Sequence, residues 1–524
     1  MQILVAIYMF IIFLFAGMAF GQELPKMRNT LVIIADDHAL HVTGAYGNDI
    51  IDTPNIDGLA KDGVTFTNAV CNAPICSASR QSLLTGKYPH GTGVSLLFTP
   101  FPDEGNTTIA EHLEGHYATA LIGKNHFNNW VWYPLYKDGL PKHGFDVLVG
   151  GGEYKNYLTS QKIPALPDGL EYYDRKKAGS NIAEWMNWRG LPQPVYDEYS
   201  EGTFYTKQAI EFMRKNKERP FFVWLAFKEP HHPYAFPVEY VNSYDPADMP
   251  LPEGSPEDDR WIPEKFRGLS DEEKRGIIAS YYTSTKYMDK NVGLVLDALR
   301  DMELEESTMV VYLSDNGYLL HDHRRFEKHT MWQEAIHQPM IFRLGRKFKG
   351  GERAEALVEY VDVIPTVLDV LGFEPLEEAQ GKSFSHVLRN VQSNHRDFLF
   401  SEYLEDNLAM VSDGEWKYMF TTGSRDLGIG YKTGFGPSGI VHRLYNLKDD
   451  PKESTDVSEK PGNLDTLLRM QRLMLQRFME THPDAGECPE ELTVVGKLVW
   501  FCEPRDVGAD QALDDVPVRV FETE

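Results

Sequence analysis

Short runs of consecutive apolar residues recur along this 524-residue chain, with longer stretches of helical spacing between them. Four such runs lie at residues 31–34, 118–122, 221–225 and 309–313. A run that is apolar at every position predicts a strand buried on both faces, which is typical of a parallel sheet between helix layers. Apolar residues at helical spacing over 203–217 and 278–299 predict two of the covering helices. The pattern therefore predicts an α/β fold.

Polar side chains follow each of the four runs. The first is followed by Asp36 and Asp37, the second by Lys124 and His126, the third by Lys228, His231 and His232, and the fourth by Asp315 and Asn316. Ligands of open α/β sheets bind outside the carboxyl ends of the strands, so we expect these side chains to meet at one edge. Taken singly, each of these residues is more commonly explained by a position in a surface loop. Asp36 and Asp37 are also typical of a helix N-cap or a turn, and residues 315–317 of a type I′ turn.

The residue types at this edge suit a cation and an anion together. Hard oxygen ligands favour calcium or magnesium over zinc, and four residues offer them: Asp36, Asp37, Asp315 and Asn316. A cationic cup for a tetrahedral oxyanion is predicted from five basic residues: Arg80, Lys124, His126, His231 and Lys328. Two unit charges about 4 Å apart attract by roughly 4 kcal/mol at an effective dielectric of 20. Several such contacts can hold a sulfate, although a lone lysine such as Lys328 is more commonly solvated.

A cysteine opens a further predicted helix at residue 76, and Arg80 follows one helical turn later on the same face. The N–H groups and the positive dipole end of a helix N-terminus attract anions. We therefore expect a lowered thiol pKa at Cys76. The alternative is a core cysteine beside a surface arginine.

Composition, charge and length limit the possible partners and the domain organisation of the chain. The net charge of −26 argues against a nucleic-acid partner and means that an anionic substrate needs a local basic pocket. The length indicates more than one domain. Only four cysteines are present; Cys488 and Cys502 are close enough in sequence to pair, and Cys71 is left as a buried thiol.

The two ends of the chain differ from the middle. Residues 3–20 are almost wholly apolar and precede small residues, which predicts a signal peptide at 1–21 and export to the periplasm or beyond the cell; an uncleaved anchor is the alternative. Residues 22–390 form the expected catalytic α/β domain. Residues 391–524 predict a smaller α+β subdomain, with strands near 397–400 and 416–420 and an amphipathic helix over 462–480.

Several motifs resemble those of the type I, formylglycine-dependent sulfatases of the alkaline-phosphatase-like superfamily. Residues 76–80 fit the family's C-x-(P/A)-x-R signature, with Ala78 in place of the commoner proline. Further motifs follow in the family's order at 35–38, 52–57, 84–90, 123–126, 230–233 and 314–317. The resemblance covers about residues 28–385 and continues weakly to 444–451. It departs at 321–325, where family members often have Gly-Glu-His-Gly.

The resemblance implies a large mixed, mostly parallel sheet sandwiched by helices, and a catalytic design. In that family the cysteine is converted to formylglycine by a maturation enzyme, and its hydrated aldehyde is the nucleophile. The implied catalytic residues are Cys76, Arg80, Lys124, His126, His231 and Lys328. The implied substrate-binding residues are Lys124, His231, His232, Lys328 and His329. The implied ligands of one Ca²⁺, in preference to Mg²⁺, are Asp36, Asp37, Cys76, Asp315 and Asn316.

We therefore expect an exported sulfatase that acts on a sulfated carbohydrate. Predicted surface aromatics favour a sugar: Trp130, Trp132, Tyr133, Trp185 and Trp188. One alternative is a phosphonate monoester or phosphodiester hydrolase of the same superfamily, a branch in which the position of Asn316 more often holds histidine. The other is a non-catalytic carbohydrate-binding relative, although no element of the predicted site is missing.

Overall fold

The computed structural model describes residues 23–128, 136–137, 140–348, 350–422 and 439–505. The expected signal peptide at 1–21 lies outside these ranges, as do the aromatic residues Trp130, Trp132 and Tyr133. Within the described residues, no helix has both the length and the apolar composition that a membrane crossing requires.

The described strands and helices follow one another along the whole chain. In chain order the strands are β1 (Asn29–Asp36), β2 (Val64–Phe66), β3 (Ala69–Val70), β4 (Ala118–Gly123), β5 (Tyr136–Lys137), β6 (Leu140–Pro141), β7 (Val147–Val149), β8 (Phe221–Pro230), β9 (Thr308–Ser314), β10 (Leu319–Leu320), β11 (Phe326–Glu327), β12 (Met340–Leu344), β13 (Glu352–Ala354), β14 (Val358–Glu359), β15 (Leu399–Tyr403), β16 (Leu408–Ser412), β17 (Trp416–Thr421) and β18 (Val441–Asn446). The longer helices are α1 (Pro54–Lys61), α2 (Cys76–Thr85), α3 (Gly151–Ser160), α4 (Glu201–Lys215), α5 (Asp271–Asp301), α6 (Val363–Leu371), α7 (Leu464–Thr481) and α8 (Val494–Phe501). Shorter α-helices lie at Pro89–Thr92, Ile109–His112, Arg175–Ala178, Ile182–Trp185, Glu264–Arg267, Gln333–Ile336 and Ser385–Arg389.

The main sheet has eight strands in the order β13-β2-β12-β9-β1-β8-β4-β7. The four strands predicted from the apolar runs are its neighbouring members β9, β1, β8 and β4, and all three pairings between them are parallel. Strand β12 runs antiparallel to both β9 and β2, which makes the sheet mixed. The predicted α/β fold with a mixed, mostly parallel sheet is confirmed.

Both faces of the sheet are buried, as unbroken apolar strands require. Alternate residues of β1 belong to two different cores, because successive side chains of a strand point to opposite faces. Leu31 and Ile33 pack in the core that α4 and α5 cover, and Val32 and Ile34 pack in the core that α2 and α6 cover. The site at the ends of these strands therefore stands on a rigid, two-sided support.

A smaller antiparallel sheet, β15-β16-β17-β18, follows the main domain and confirms the predicted C-terminal subdomain. Helices α7 and α8 share one apolar core with it. The subdomain is fastened to the main domain at β15, where Phe400 N donates to Glu359 Oε1 at 2.6 Å and Phe400 O accepts from Asn72 Nδ2 at 3.0 Å. Glu402 accepts from His90 N at 2.8 Å beside this contact.

Cys488 and Cys502 are both free thiols, so the pairing that their sequence separation allowed is not formed. Both are buried in the core that α7 and α8 share with the antiparallel sheet. There each thiol packs as a small apolar group, which is the usual role of a free cysteine. Cys71, expected to be a buried thiol, is buried and free.

Candidate active site

The four polar strand ends meet at one edge of the main sheet. Their strands are adjacent in the order β9-β1-β8-β4, so parallel pairing brings the segments around Asp315, Asp37, His231 and Lys124 side by side. Lys228 is an exception. Strand β8 continues to Pro230, so Lys228 lies within the strand instead of after it, and its Nζ pairs with Glu201 Oε1 at 2.9 Å.

The predicted metal ligands converge in the interior of this edge. One ligand atom from each of Asp36, Asp37, Cys76 and Asp315 lies within 4.8 Å of the others. Asp37 Oδ2 and Asn316 Oδ1 are buried there and accept no hydrogen bond. Buried oxygen atoms normally have a partner, and two such atoms beside three carboxylates fit a hard cation such as calcium or magnesium.

Hydrogen bonds hold these oxygen ligands in place. Asp315 Oδ1 accepts from Asp37 N at 3.0 Å and from Asn316 N at 2.9 Å, while Asn316 Nδ2 donates to Asp37 Oδ1 at 2.7 Å. The N-cap alternative for the aspartate pair is wrong, because the next helical turn begins after Ala39 and has no side-chain cap. The acidic residues instead form a site that depends on both β1 and β9.

Three basic side chains surround the carboxylates: Arg80 and Lys328 are buried, and Lys124 is partly buried. Lys124 Nζ donates to Asp36 Oδ2 at 2.6 Å, and Arg80 approaches Asp315 Oδ2 through Nε and Nη2, each at 2.8 Å. Lys328 Nζ donates to Cys76 Sγ at 2.7 Å and also to Asp37 Oδ1. The side chain of Lys328 is 5% exposed, so the alternative of a solvated loop lysine is wrong.

Cys76 begins α2, and every residue of that helix is buried. Its thiol faces Asp36 Oδ1 at 3.3 Å. The expectation of a lowered thiol pKa is wrong: burial and the charge of Asp36 raise the pKa of Cys76 well above its usual range, against the opposing effect of Lys124 and Lys328. Nearby carboxylates and the loss of water thus outweigh the helix dipole, and the unmodified side chain is a protonated thiol.

His231 and His232 directly follow β8, and His231 lies beside the predicted metal ligand Asp37. His231 Nε2 lies 3.7 Å from Asp37 Oδ2, and its Nδ1 is 2.7 Å from the carbonyl oxygen of His232. Burial lowers the pKa of His231 to about 3, although the charge of Asp36 opposes this. The two imidazole rings lie 4.1 Å apart, and burial lowers the pKa of His232 as well. The lowered pKa values favour the neutral form of both rings.

The other two predicted histidines lie on either side. The backbone oxygen of His126 accepts from Gln81 Nε2 at 2.9 Å, and its buried Nδ1 has no hydrogen-bond partner. Burial and the charge of Lys124 lower the pKa of His126. The ring of His329 packs 5.4 Å from that of Tyr403 in the C-terminal subdomain, so this histidine lies at the junction of the two sheets.

The backbone of the site is strained in a way typical of functional loops. Asp37, His126, Glu327 and His329 all have left-handed φ angles, between 55° and 71°. Such conformations cost on the order of 1 kcal/mol or more for residues other than glycine. The surrounding packing maintains them in the segments that deliver Asp37, His126 and Lys328.

The structure adds supporting residues that the sequence patterns did not single out. Tyr281 of α5 donates from its hydroxyl to Asp37 O at 2.5 Å and accepts from Ala39 N at 2.7 Å. Ser79 donates to Asp315 O. These contacts fix the backbone on which the ligands stand. Tyr281 gave a signal only as one apolar position of a helix, which does not report what its hydroxyl reaches.

Comparison with known proteins identifies the family. A family model described as Sulfatase matches residues 28–373. The chain belongs to the sulfatase family. A second model, described as N-sulphoglucosamine sulphohydrolase, C-terminal, matches residues 321–480. The family and its named members make this sulfatase a sulfuric ester hydrolase, as the motifs predicted.

Relatives of the sulfatase include two proteins of Formosa agariphila. One, named Sulfatase, is 26% identical over 438 residues, which cover 80% of this chain and 83% of the relative. The other, named Ulvan-active sulfatase, is 30% identical over 375 residues, which cover 70% of this chain and 66% of the relative. An arylsulfatase of Clostridium perfringens is 27% identical over 82% of this chain and 90% of its own.

Solved structures share the fold of the sulfatase. The phosphonate monoester hydrolase of Silicibacter pomeroyi superposes with a TM-score of 0.72 at 22% identity, covering 88% of this chain and 97% of its own. A protein in complex with its substrate D-glucosamine-2-N,6-O-disulfate superposes with a TM-score of 0.68 at 20% identity, covering 87% and 98%. Both confirm the predicted fold class.

Proposed function

We propose that this sulfatase is an exported enzyme that hydrolyses sulfate esters on a sulfated carbohydrate, using a formylglycine made from Cys76 and one divalent cation. One observation carries the proposal. Cys76 begins a buried helix at the point where three carboxylates and the basic side chains Arg80, Lys124 and Lys328 converge. This arrangement places a nucleophile at residue 76 beside positively charged side chains that can bind the oxygens of a sulfuryl group.

The oxygen-rich side of the site would hold the cation. Asp36, Asp37, Asp315 and Asn316 are the residues to bind it, with residue 76 beside them, and calcium suits this ligand set better than zinc. When bound, such an ion neutralises the carboxylates and acidifies a neighbouring hydroxyl. The unpartnered oxygens of Asp37 and Asn316 support this assignment.

The basic side of the site would hold the substrate. The formylglycine, when formed, supplies a hydroxyl nucleophile that a thiol cannot replace in the same cycle. Arg80 and Lys124 are positioned to orient that side chain and the sulfuryl oxygens, and Lys328 to bind the sulfate. Asp315, whose pKa burial raises to about 6 against the charge of Arg80, is suited to accept a proton.

His231 is the proposed acid for the leaving alcohol, and His126 the proposed base that later takes a proton from residue 76. Imidazole is suited to both roles near neutral pH. Burial lowers the pKa of His231, and a bound anion next to the ring would favour its protonated form. The ring of His231 is about one quarter exposed, so it faces the side from which substrate arrives.

The names of one relative and one structural neighbour support a carbohydrate substrate. One relative is named Ulvan-active sulfatase, and one structural neighbour was solved with D-glucosamine-2-N,6-O-disulfate as its substrate. The apolar segment at residues 3–20 supports export, which gives access to polysaccharides outside the cytoplasm.

The test has two parts. Mass spectrometry of the peptide that contains Cys76, from the native host or from cells that also produce the maturation enzyme, should find formylglycine. The same preparation should release sulfate from an aryl sulfate and from members of a panel of sulfated oligosaccharides, and a Cys76→Ala variant should not. Unmodified thiol throughout an active preparation would contradict the mechanism.

A phosphonate monoester or phosphodiester hydrolase is the second candidate. The likeness to the Silicibacter pomeroyi enzyme supports it at the level of fold. Turnover of an aryl phosphonate monoester and an aryl phosphate diester, measured beside the aryl sulfate, separates the two functions. A higher kcat/KM on either phosphorus ester would favour this second candidate.

A further inference from the structure

The loop after β1, which carries Asp37, is held against the end of β9 by His38. The backbone N of His38 donates to Ser314 Oγ at 2.7 Å, and its ring Nδ1 lies 2.7 Å from Tyr312 Oη. Its Nε2 donates to Val42 O at 2.9 Å, because a carbonyl oxygen can only accept. All three nitrogen atoms of this buried residue are therefore hydrogen-bonded, two of them with side chains of β9.

The hydroxyl of Ser314 also reaches the second loop that carries predicted metal ligands. It accepts from His38 N and donates its single hydrogen to Asn316 O at 2.7 Å. Tyr312 and Ser314 are two residues apart in β9, so their side chains lie on the same face of the strand. We call the contacts among His38, Tyr312 and Ser314 the His38 bridge. The bridge joins the loop after β1 to the loop after β9.

The His38 bridge lies directly beyond the end of the strand pairing. Strands β1 and β9 pair in parallel as far as Ala35 and Ser314, and Asp315 N then donates to Ala35 O at 3.0 Å. The ladder between the two strands does not extend to Asp37 or Asn316. Strand pairing alone therefore leaves the relative position of these two predicted ligands unfixed.

The other hydrogen bonds between the two loops involve the ligand side chains themselves. Asp315 Oδ1 accepts from Asp37 N, and Asp37 Oδ1 accepts from Asn316 Nδ2. A cation competes for these carboxylate oxygens, whereas the His38 bridge uses no side-chain atom of a predicted ligand. Asp37 also has a left-handed φ of 66°, which its surroundings must maintain. The bridge can hold both loops in one arrangement whether or not the cation is bound.

We propose that His38 and Ser314, supported by Tyr312, are positioning residues for the cation site. Through the His38 bridge they hold Asp37 and Asn316 at the spacing that one divalent cation requires. This inference rests on the proposed function, of which the cation is a part. Residues that orient metal ligands contribute to metal affinity without touching the metal. A bridge that only stabilised the fold would lower the Tm and leave the cation affinity unchanged.

Dissociation constants for calcium and magnesium, measured by calorimetry on metal-stripped full-length protein, test this role. Ser314→Ala removes the hydroxyl that contacts both loops, and Tyr312→Phe removes only one outer hydroxyl of the bridge. The matched controls are Ser200→Ala and Tyr287→Phe, because the hydroxyls of these two buried residues lie 2.5 Å apart in another contact. Each test variant thus has a control that removes the same chemical group from the interior.

We expect Ser314→Ala to raise the calcium Kd by about 10- to 100-fold, the usual loss when a partner of a metal ligand is removed. Tyr312→Phe should raise the Kd less, because His38 N keeps its contact with Ser314. Magnesium should lose more affinity than calcium in both variants, because it requires a near-ideal octahedral geometry. The two control variants should bind both ions as the wild type does.

A second measurement needs no cation. In metal-free protein, hydrogen exchange in peptides that contain residues 36–40 should be faster in Ser314→Ala than in the wild type or Ser200→Ala, because the amide of His38 loses its acceptor. Thermal unfolding reports whether each variant is folded. Tyr312→Phe keeps the whole aromatic ring, so it provides the test if Ser314→Ala does not fold.

An unchanged calcium Kd in Ser314→Ala, or an equal rise in Ser200→Ala, would overturn the inference. Unchanged or slower exchange of residues 36–40 in Ser314→Ala would overturn it as well. Failure of the proposed function has a different signature, because the wild type would then bind no calcium or release no sulfate from any substrate. Hydrogen exchange of the metal-free protein would still show whether Ser314 holds the loop.

Discussion

His231 lies where β8 ends, with its ring facing both Asp37 and the open side of the site. We predict that His231→Ala lowers turnover of a sugar or alkyl sulfate by about 10²–10⁴-fold, the usual contribution of a general acid. The loss should be much smaller with a nitrophenyl sulfate, whose leaving group scarcely needs a proton. Steady-state kinetics on both substrates provides the measurement.

Equal losses on the two substrates would mean that His231 only binds sulfate. His232 would then be the next candidate for the acid, since its ring lies 4.1 Å away. A His232→Ala variant, assayed on the same pair of substrates, would show which imidazole carries the leaving-group dependence.

The unpartnered oxygen of Asp37 leads to a second prediction. Elemental analysis of the wild-type protein should find one divalent cation per chain, calcium in preference to magnesium. Asp37→Asn should abolish this binding, because it replaces one charged ligand oxygen by an amide nitrogen. Calcium should raise the Tm of the wild type and not that of the variant, since a ligand stabilises only the state that binds it.

Asp297→Asn is the matched control, because Asp297 is an exposed carboxylate of α5. Two zinc ions per chain would instead point to a phosphatase-like site. Unchanged calcium content in Asp37→Asn would remove this residue from the ligand set.

At the scale of elements, β4 must pass very close to β8 before it delivers Lys124. A Cβ at Gly123 would lie 1.8 Å from Ala226 O, and its φ of 104° is unfavourable for any other residue. We predict that Gly123→Ala lowers the free energy of unfolding by about 2 kcal/mol or more. Chemical denaturation measures this, with Gly152→Ala as the control because nothing lies within 4 Å of that position in α3. An equal change in both variants would contradict the packing argument.

The elements that the sequence predicted well are those with a single dominant signal. Strands β1, β4, β8 and β9 are buried on both faces, so their runs are apolar throughout apart from Thr119 in β4. Strands β2, β7 and β13 have three residues each and are too short to show a period. Strand β12 contains Arg343, which interrupts its apolar run, so the antiparallel member of the sheet went unpredicted.

In the candidate site, too, the sequence predicted some features and missed others. Spacing along the chain predicted which residues would meet, because parallel strands end at one edge. It did not predict the thiol pKa of Cys76, because the carboxylate of Asp36 that raises it arrives from another strand. Nor did it predict the burial of Lys328, which depends on a loop held against the C-terminal subdomain.

At the scale of the whole molecule, a buried ionic cluster joins the two sheets just beyond Lys328. His323 Nδ1 lies 3.1 Å from Asp258 Oδ1, and its Nε2 lies 3.6 Å from Glu334 Oε2. Glu453 lies beside His323 and Glu334, and its Oε1 is 2.6 Å from Nζ of Lys417 in β17. His323 belongs to the segment at 321–325, where the chain departs from the residues that the family resemblance leads us to expect.

This cluster predicts a pH-dependent stability. Burial alone would lower the pKa of His323, but hydrogen bonds with Asp258 and Glu334 raise the pKa to about 9. An unfolded histidine titrates near pH 6.5, so the folded protein binds this proton more tightly. The contribution is therefore complete below about pH 6.5 and is lost as the pH rises through about 9.

Thermal unfolding between pH 6 and pH 10 tests this expectation. The Tm of the wild type should fall across the upper half of this range, and His323→Gln should have a lower Tm at pH 6 and a flatter profile. His386→Gln, at an exposed histidine, should follow the wild type. Parallel profiles for the wild type and His323→Gln would show that the cluster does not hold the proton.

The complete burial of α2 also bears on whether the proposed conversion of Cys76 precedes or follows folding. On the proposed mechanism, a maturation enzyme would have to bind the peptide around residue 76, yet in the folded protein the side chain of Cys76 is 1% exposed and the helix has no exposed residue. The proposed conversion of Cys76 must therefore occur while the chain is still open. Under this proposal folding competes with maturation, and we expect a molecule that folds before the conversion to keep its thiol and to be inactive for as long as it stays folded.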